Sequence, residues 1–194
     1  MQSQILQERI LKDGDTKGFD IVKVDSFLNH QIDVTLMDHI GEAFYKNFKE
    51  QGITKVLTIE ASGIAIAMAT ARYFDVPVVF AKKVESKNLD DEIYTSEVFS
   101  FTKNRTYQVR VSKRYISPDD KILIVDDFLA NGKACEGLVE IVESAKAEIK
   151  GIGIVIEKGF QPGGANLRGR GFEVQSLAII DAIDGGKIEF REEV

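Results

Sequence analysis

Acidic residues outnumber basic ones in this 194-residue chain, 31 to 25, and it contains one cysteine, two histidines and three prolines. A lone Cys135 forms no internal disulfide, and no second cysteine or histidine stands beside it at zinc-ligand spacing. A disulfide scaffold and a cysteine-held metal are therefore both excluded, and a reducing compartment suits the chain. The formal net charge of -6 argues against the broad phosphate-neutralising surface of a nucleic-acid binder, so the expected ligand is small and no nucleic-acid partner is expected. No apolar run approaches membrane-spanning length. The opening MQSQILQERILKDGD has neither a basic segment leading into an apolar stretch nor a small-residue cleavage site. No membrane partner and a cytoplasmic location are the expectation. The prolines are scattered, and repeats and low-complexity linkers are missing, so the chain reads as continuous fold. With 44% hydrophobic residues it can bury one sizeable core but not two full-sized domains. A single domain over 1–194 is predicted.

The apolar pattern then gives the elements. A short helix over the first dozen residues leads through a polar turn at 14–19 into an extended segment at 20–27. Leu36, Ile40, Phe44 and Phe48 recur at four-residue spacing, predicting an amphipathic helix over 34–51 that Gly52 ends. Strand 55–59, a turn at 60–63, an alanine-rich helix through Phe74 and strand 76–81 make a βαβ unit. Residues 96–101 and 107–111 alternate apolar with polar about a turn near Asn104, predicting a hairpin projecting from the sheet. Further buried strands are expected at 121–125, 151–156 and 171–180, with a helix at 132–145. Strands apolar on both faces, alternating with helices, predict an α/β fold with a mainly parallel five-stranded sheet flanked by helices. Ligands of such sheets sit at the carboxyl ends of the strands.

The most informative segment is ILIVDDFLANGKA at 122–134. Four buried apolar residues are followed by Asp126 and Asp127, whose adjacent carboxylates can accept hydrogen bonds from vicinal sugar hydroxyls and stabilise positive charge on a ribose ring. Ala130, Asn131, Gly132, Lys133 and Ala134 then offer backbone amides at a helix N-terminus, where a phosphate dianion is favoured. Each charged hydrogen bond there contributes roughly 1.5–3 kcal/mol, so several suffice to hold a sugar phosphate. A lone Asp-Asp pair usually caps a helix; the whole string carries the stronger signal.

That string resembles the phosphoribosyl pyrophosphate (PRPP) signature of type I phosphoribosyltransferases, with Asn131 where many members have threonine. VDSFLNHQ at 24–31, EASG at 60–63 and IVIEKGFQP at 154–162 narrow the likeness to the bacterial xanthine-using branch of that family, over essentially the full length. The resemblance implies the type I core (34–194) under a small N-terminal hood (1–33), a homodimer, Mg²⁺ brought in mainly by PRPP, and formation of xanthosine monophosphate and pyrophosphate. It implies that Glu60, Ala61, Ser62 and Gly63 present amides to the departing pyrophosphate, a turn that by sequence alone is as easily an ordinary strand-to-helix connection. Lys82, next to Lys83, could neutralise pyrophosphate, although paired lysines more often form a solvated face. Residues 84–94 are a candidate lid. Lys158 alone reads as a surface lysine paired with Glu157; the resemblance makes it the donor to the purine six-oxo group, with Asn29 and the backbone near Val22 holding the base from the hood. His39 reads as structural and His30 has no clear role. Rival readings are a relative preferring guanine, hypoxanthine, adenine or orotate, a PRPP-binding regulator without catalysis, and a nucleotide-binding module without turnover.

Overall fold

The computed structural model describes residues 2–84, 92–100 and 105–192. Its elements are α1 (Gln2–Asp13), β1 (Asp15–Lys17), β2 (Ile21–Lys23), a π-helical turn (Asp25–Asn29), α2 (Val34–Phe48), β3 (Lys55–Ile59), α3 (Gly63–Phe74), β4 (Val78–Val84), β5 (Ile93–Ser100) and β6 (Arg105–Ser112), then β7 (Lys121–Leu129), α4 (Lys133–Ser144), β8 (Glu148–Lys158), α5 (Gly163–Gly169), β9 (Val174–Asp184) and β10 (Lys187–Phe190).

Strands β4, β3, β7, β8 and β9 lie side by side and parallel, which is the five-stranded core that the apolar runs predict. Three antiparallel strands extend it to eight, in the order β10-β9-β8-β7-β3-β4-β6-β5. The expected hairpin is β5–β6, and it continues the sheet because β6 pairs antiparallel with Lys82, Lys83 and Val84 at the end of β4. Most of the candidate lid, 85–91, and the turn near Asn104 lie outside the described residues.

In β7, Leu123 and Val125 enter one core cluster with Phe44, Phe48 and Ile66 from α2 and α3. Ile122 and Ile124 enter the other with Leu138 and Ile141 from α4 and Leu167 from α5. Burial on both faces is why this strand reads as an unbroken apolar run. The Asp33 carboxylate caps α2 by accepting the Leu36 N–H at 3.1 Å, and Gly52 ends the helical run with φ 64°.

The hood departs from its expected form. Only Ile21–Lys23 is extended, paired with β1, and the chain then winds into the π-helical turn. That turn buries the adjacent Phe27 and Leu28 together, which a strand with only one face against the core cannot do. No described helix is long and apolar enough to cross a membrane.

Candidate active site

Strand β7 runs on through the acidic pair, because its pairing with β8 persists as far as Leu129. Alternation sends the two aspartates to opposite faces. Asp126 turns toward α4 and β6, where its charge acts on Cys135 and Tyr107. Asp127 turns toward the hood, where its Oδ2 accepts the Asn29 amide at 3.1 Å. Both are buried, at 5% and 9% exposure. Burial, followed by the neighbouring Asp127 charge, holds the Asp126 carboxyl well above the usual carboxylate range.

Beyond Leu129 the chain turns through Ala130, Asn131 and Gly132 into α4. Gly132 sits at the helix start with φ 84°, a conformation that suits glycine. A Cβ there would lie 3.0 Å from the Gly163 Cα, so the loop is pressed against the start of α5. The Gly163 N–H donates to the Ala130 carbonyl at 3.0 Å, fixing that contact. Tyr107, Phe128 and Ala130–Ala134 line a cavity of about 170 Å³. The Lys133 ammonium turns aside to Glu136 at 2.6 Å, leaving the backbone of the turn as the donor surface.

The turn after β3 reaches the same place. A Cβ on Gly63 would collide with the Thr58 hydroxyl and lie 3.4 Å from Asp126 Oδ1, so only a residue without a side chain brings this turn so near the acid. Thr58 Oγ1 is buried there without a hydrogen-bond partner among the described residues. The Glu60 carboxylate accepts the Lys83 N–H at 2.6 Å and ties the ends of β3 and β4 together. The two lysines near the end of β4 separate. Lys83 lies over the Tyr107 ring, 5.6 Å from its centroid, and its charge reaches Asp126. Lys82 lines a different cavity with Phe80, Arg110, Arg114 and Tyr115.

At the other side of the sheet edge, Lys158 Nζ donates to the Asp20 carbonyl at 2.5 Å, two residues from the buried Val22. Burial lowers the Lys158 pKa, with the Asp20 charge opposing that shift. Hood, acid pair and Lys158 thus share one edge. The alternative reading of Lys158, a surface pair with Glu157, is not what forms. Glu157 is buried and instead takes Arg168 in a two-point contact, 2.8 Å on each oxygen, plus the Ser176 hydroxyl at 2.5 Å. Burial alone would raise its carboxyl, but Arg168 and Ser176 hold it below the usual range. A glutamate ending the apolar run Ile154-Val155-Ile156 was a visible sign that a partner was needed. Which partner was not visible, since Arg168 and Ser176 come from α5 and β9. Nor did the sequence reading pick out Tyr107 or Thr58. His39 is half-buried in α2 and His30 is exposed.

A model of the phosphoribosyl transferase domain matches residues 24–163. Xanthine phosphoribosyltransferases of Ruminiclostridium cellulolyticum and Clostridioides difficile are 60% and 57% identical to this chain, covering 97% and 96% of it and 100% and 98% of their own lengths. Among solved structures, the adenine phosphoribosyltransferase of Rhodothermus marinus superposes with a TM-score of 0.74 at 24% identity, over 92% of this chain and 98% of its own. At that identity the superposition speaks for the fold alone. With the matched domain spanning the acidic pair and its loop, and full-length relatives above half identity, the chain belongs to the phosphoribosyltransferase family.

Proposed function

We propose that this chain transfers the 5-phosphoribosyl group of PRPP to xanthine, giving xanthosine 5′-monophosphate and pyrophosphate. The observation that carries the reading is the Asn29–Asp127 hydrogen bond, which joins a hood amide to an acid at the mouth of the phosphate loop. A base held by the hood would then stand beside a ribose held by the sheet. The names of the full-length relatives support xanthine as that base.

The 5′-phosphate nests in the amides of Ala130–Ala134, while Asp126 and Asp127 receive the ribose hydroxyls and offset the charge that develops as C1 becomes cation-like. Purine N9 attacks C1 from the face opposite the departing pyrophosphate, which the turn Glu60–Gly63 and Lys83 receive, Lys83 being the lysine whose charge reaches Asp126, whereas Lys82 lines a separate cavity. The donor set suits a metal that arrives on its substrate. Asp126 and Asp127 offer oxygen ligands, whereas no group of three or more His, Cys, Asp or Glu among the described residues is gathered to hold an ion alone. Mg²⁺ bound with PRPP would neutralise the diphosphate as it leaves. The Lys158 ammonium donates to a six-oxo group and repels the amino group of adenine, and Asn29 is the donor to the carbonyl at position two. Hood 1–33 and core 34–194 act as one domain, in a cytoplasmic homodimer.

Pyrophosphate release measured with PRPP, Mg²⁺ and each of xanthine, guanine, hypoxanthine and adenine is expected to give the highest kcat/KM with xanthine. No base-dependent release, or a preference for adenine, would overturn the proposal. Gly132→Ala is expected to raise the KM for PRPP on the order of tenfold while costing about 1 kcal/mol of stability, because an L residue at φ 84° is strained and must also shift Gly163. Steady-state kinetics and thermal melts of the variant check both effects.

A further inference from the structure

Arg9 makes three contacts that bear on the π-helical turn carrying Asn29. Arg9 leaves α1 and lies over the Phe27 ring, 5.2 Å from its centroid. Its Nη1 stands 3.0 Å from Asp33 Oδ2, and its Nε lies 2.8 Å from Asp13 Oδ2, close enough for an ion pair but not aligned for a hydrogen bond. Each contacted group is tied to the π-helical turn. Phe27 is part of the turn and fully buried. The Asp33 N–H donates to the Phe27 carbonyl at 2.9 Å, while the Asp33 side chain caps α2. The Asp13 carbonyl accepts the Ser26 hydroxyl at 3.2 Å. Asn29, the last residue of that turn, is exposed apart from its bond to Asp127, so its own packing does little to orient it.

We infer that Arg9 is a positioning residue for base recognition. Its planar, always-charged guanidinium faces an aromatic ring and two carboxylates together, and so sets the orientation of the turn that presents Asn29. The inference rests on the proposed contact of Asn29 with the base. Arg9 itself touches no reacting atom; it acts through the turn. The cavity beside it, about 270 Å³ and lined by Ile5, Glu8, Lys12, Thr35, Leu36 and His39, leaves room for the turn to shift once the guanidinium is gone. The contacts of Arg9 with Phe27, Asp33 and Asp13 all lie in the hood and α2, and the Asn29–Asp127 bond links the turn to the ribose side of the site, so loss of Arg9 bears on the base first and on PRPP only through that bond.

Arg9→Met, Arg9→Lys and Asn29→Ala, assayed for kcat, for both KM values and for melting temperature, test this. Arg9→Met is expected to raise the KM for the base on the order of tenfold by misplacing a binding group, and the KM for PRPP by about twofold at most, through the Asn29–Asp127 bond alone. Arg9→Lys, which keeps a cation opposite Asp33 but not the planar fork, restores part of that loss and serves as the readout if Arg9→Met folds poorly. A base KM within twofold of wild type in Arg9→Met, while Asn29→Ala raises it, overturns the inference and leaves the Asn29 assignment standing. Unchanged values in both overturn the assignment and the inference with it. Parallel rises in both KM values with a lowered melting temperature, not rescued by lysine, reduce Arg9 to a structural brace and likewise overturn it.

Discussion

Asp126→Asn is expected to melt at a higher temperature than the wild type while losing turnover on the order of 10²–10³-fold, the usual cost of removing one electrostatic partner of a transition state. The two effects share one cause. Asp126 is buried beside a second carboxylate, and both conditions disfavour its charged form. Its folded pKa is raised above the unfolded one, so its contribution favours folding only where the group is protonated in both states. That contribution is lost as pH rises through the folded value. Asparagine never ionises. Its side-chain oxygen can still accept the Asp127 N–H, a bond of 3.0 Å in the wild type, so local geometry is retained. The gain in melting temperature should therefore grow from acidic to neutral pH and vanish below the ordinary carboxylate range. On the proposed role, burial of Asp126 serves the reaction: an exposed acid would meet a cation-like ribose through water, with a far weaker field. A variant that melts lower than wild type at neutral pH, or turns over within a few-fold of it, would remove Asp126 from this role.

The parallel strands and helix α3 were legible because their patterning is local. Lys55–Ile59 and Gly63–Phe74 fall where the apolar runs and the alanine-rich periodicity put them. The strands came out too short wherever pairing, and not composition, extends them. Lys82 and Lys83 read as a polar end, yet β6 pairs with both, and Asp126 and Asp127 read as a loop, yet β8 carries the strand past them. Helix α5 was missed because Gly163–Gly169 is short and contains three glycines, with little intrinsic helical preference. The segment 122–134 stood out for a different reason: a phosphate and a ribose, where bound, require particular residue types at fixed spacing. What lies behind them was not. Arg168 is eleven residues from Glu157 and Arg9 is 24 from Asp33 in the chain, and no spacing rule connects either pair.

Arg168→Met is expected to destabilise the protein by about 3 kcal/mol, the low end of the range for breaking a buried ion pair. The low end applies because the pair is only half enclosed: Glu157 is 3% exposed at its side chain and Arg168 36%. The Ser176 hydroxyl also remains on the carboxylate. In the wild type the folded pKa of Glu157 is depressed, so its stabilisation is present above the unfolded value and fades as pH falls through the folded one. Without Arg168 burial dominates and the shift reverses. The difference in melting temperature between the two proteins should then be large at neutral pH and shrink only as pH falls below the ordinary glutamate range, through the depressed folded value of Glu157. Adding Glu157→Gln should recover on the order of 1–3 kcal/mol relative to the sum of the two single losses, since no stranded charge remains. Function follows from where the pair sits. A side chain on Gly164 would collide with the Glu157 carboxylate, so the start of α5 is seated on this ion pair, and its neighbour Gly163 holds the Ala130 carbonyl. A loosened α5 frees one wall of the phosphate loop, and the KM for PRPP should rise in Arg168→Met more than the KM for the base. Additive single losses, or a melting difference that does not change with pH, would mean that the carboxylate and guanidinium act independently and that the loop draws its rigidity from elsewhere.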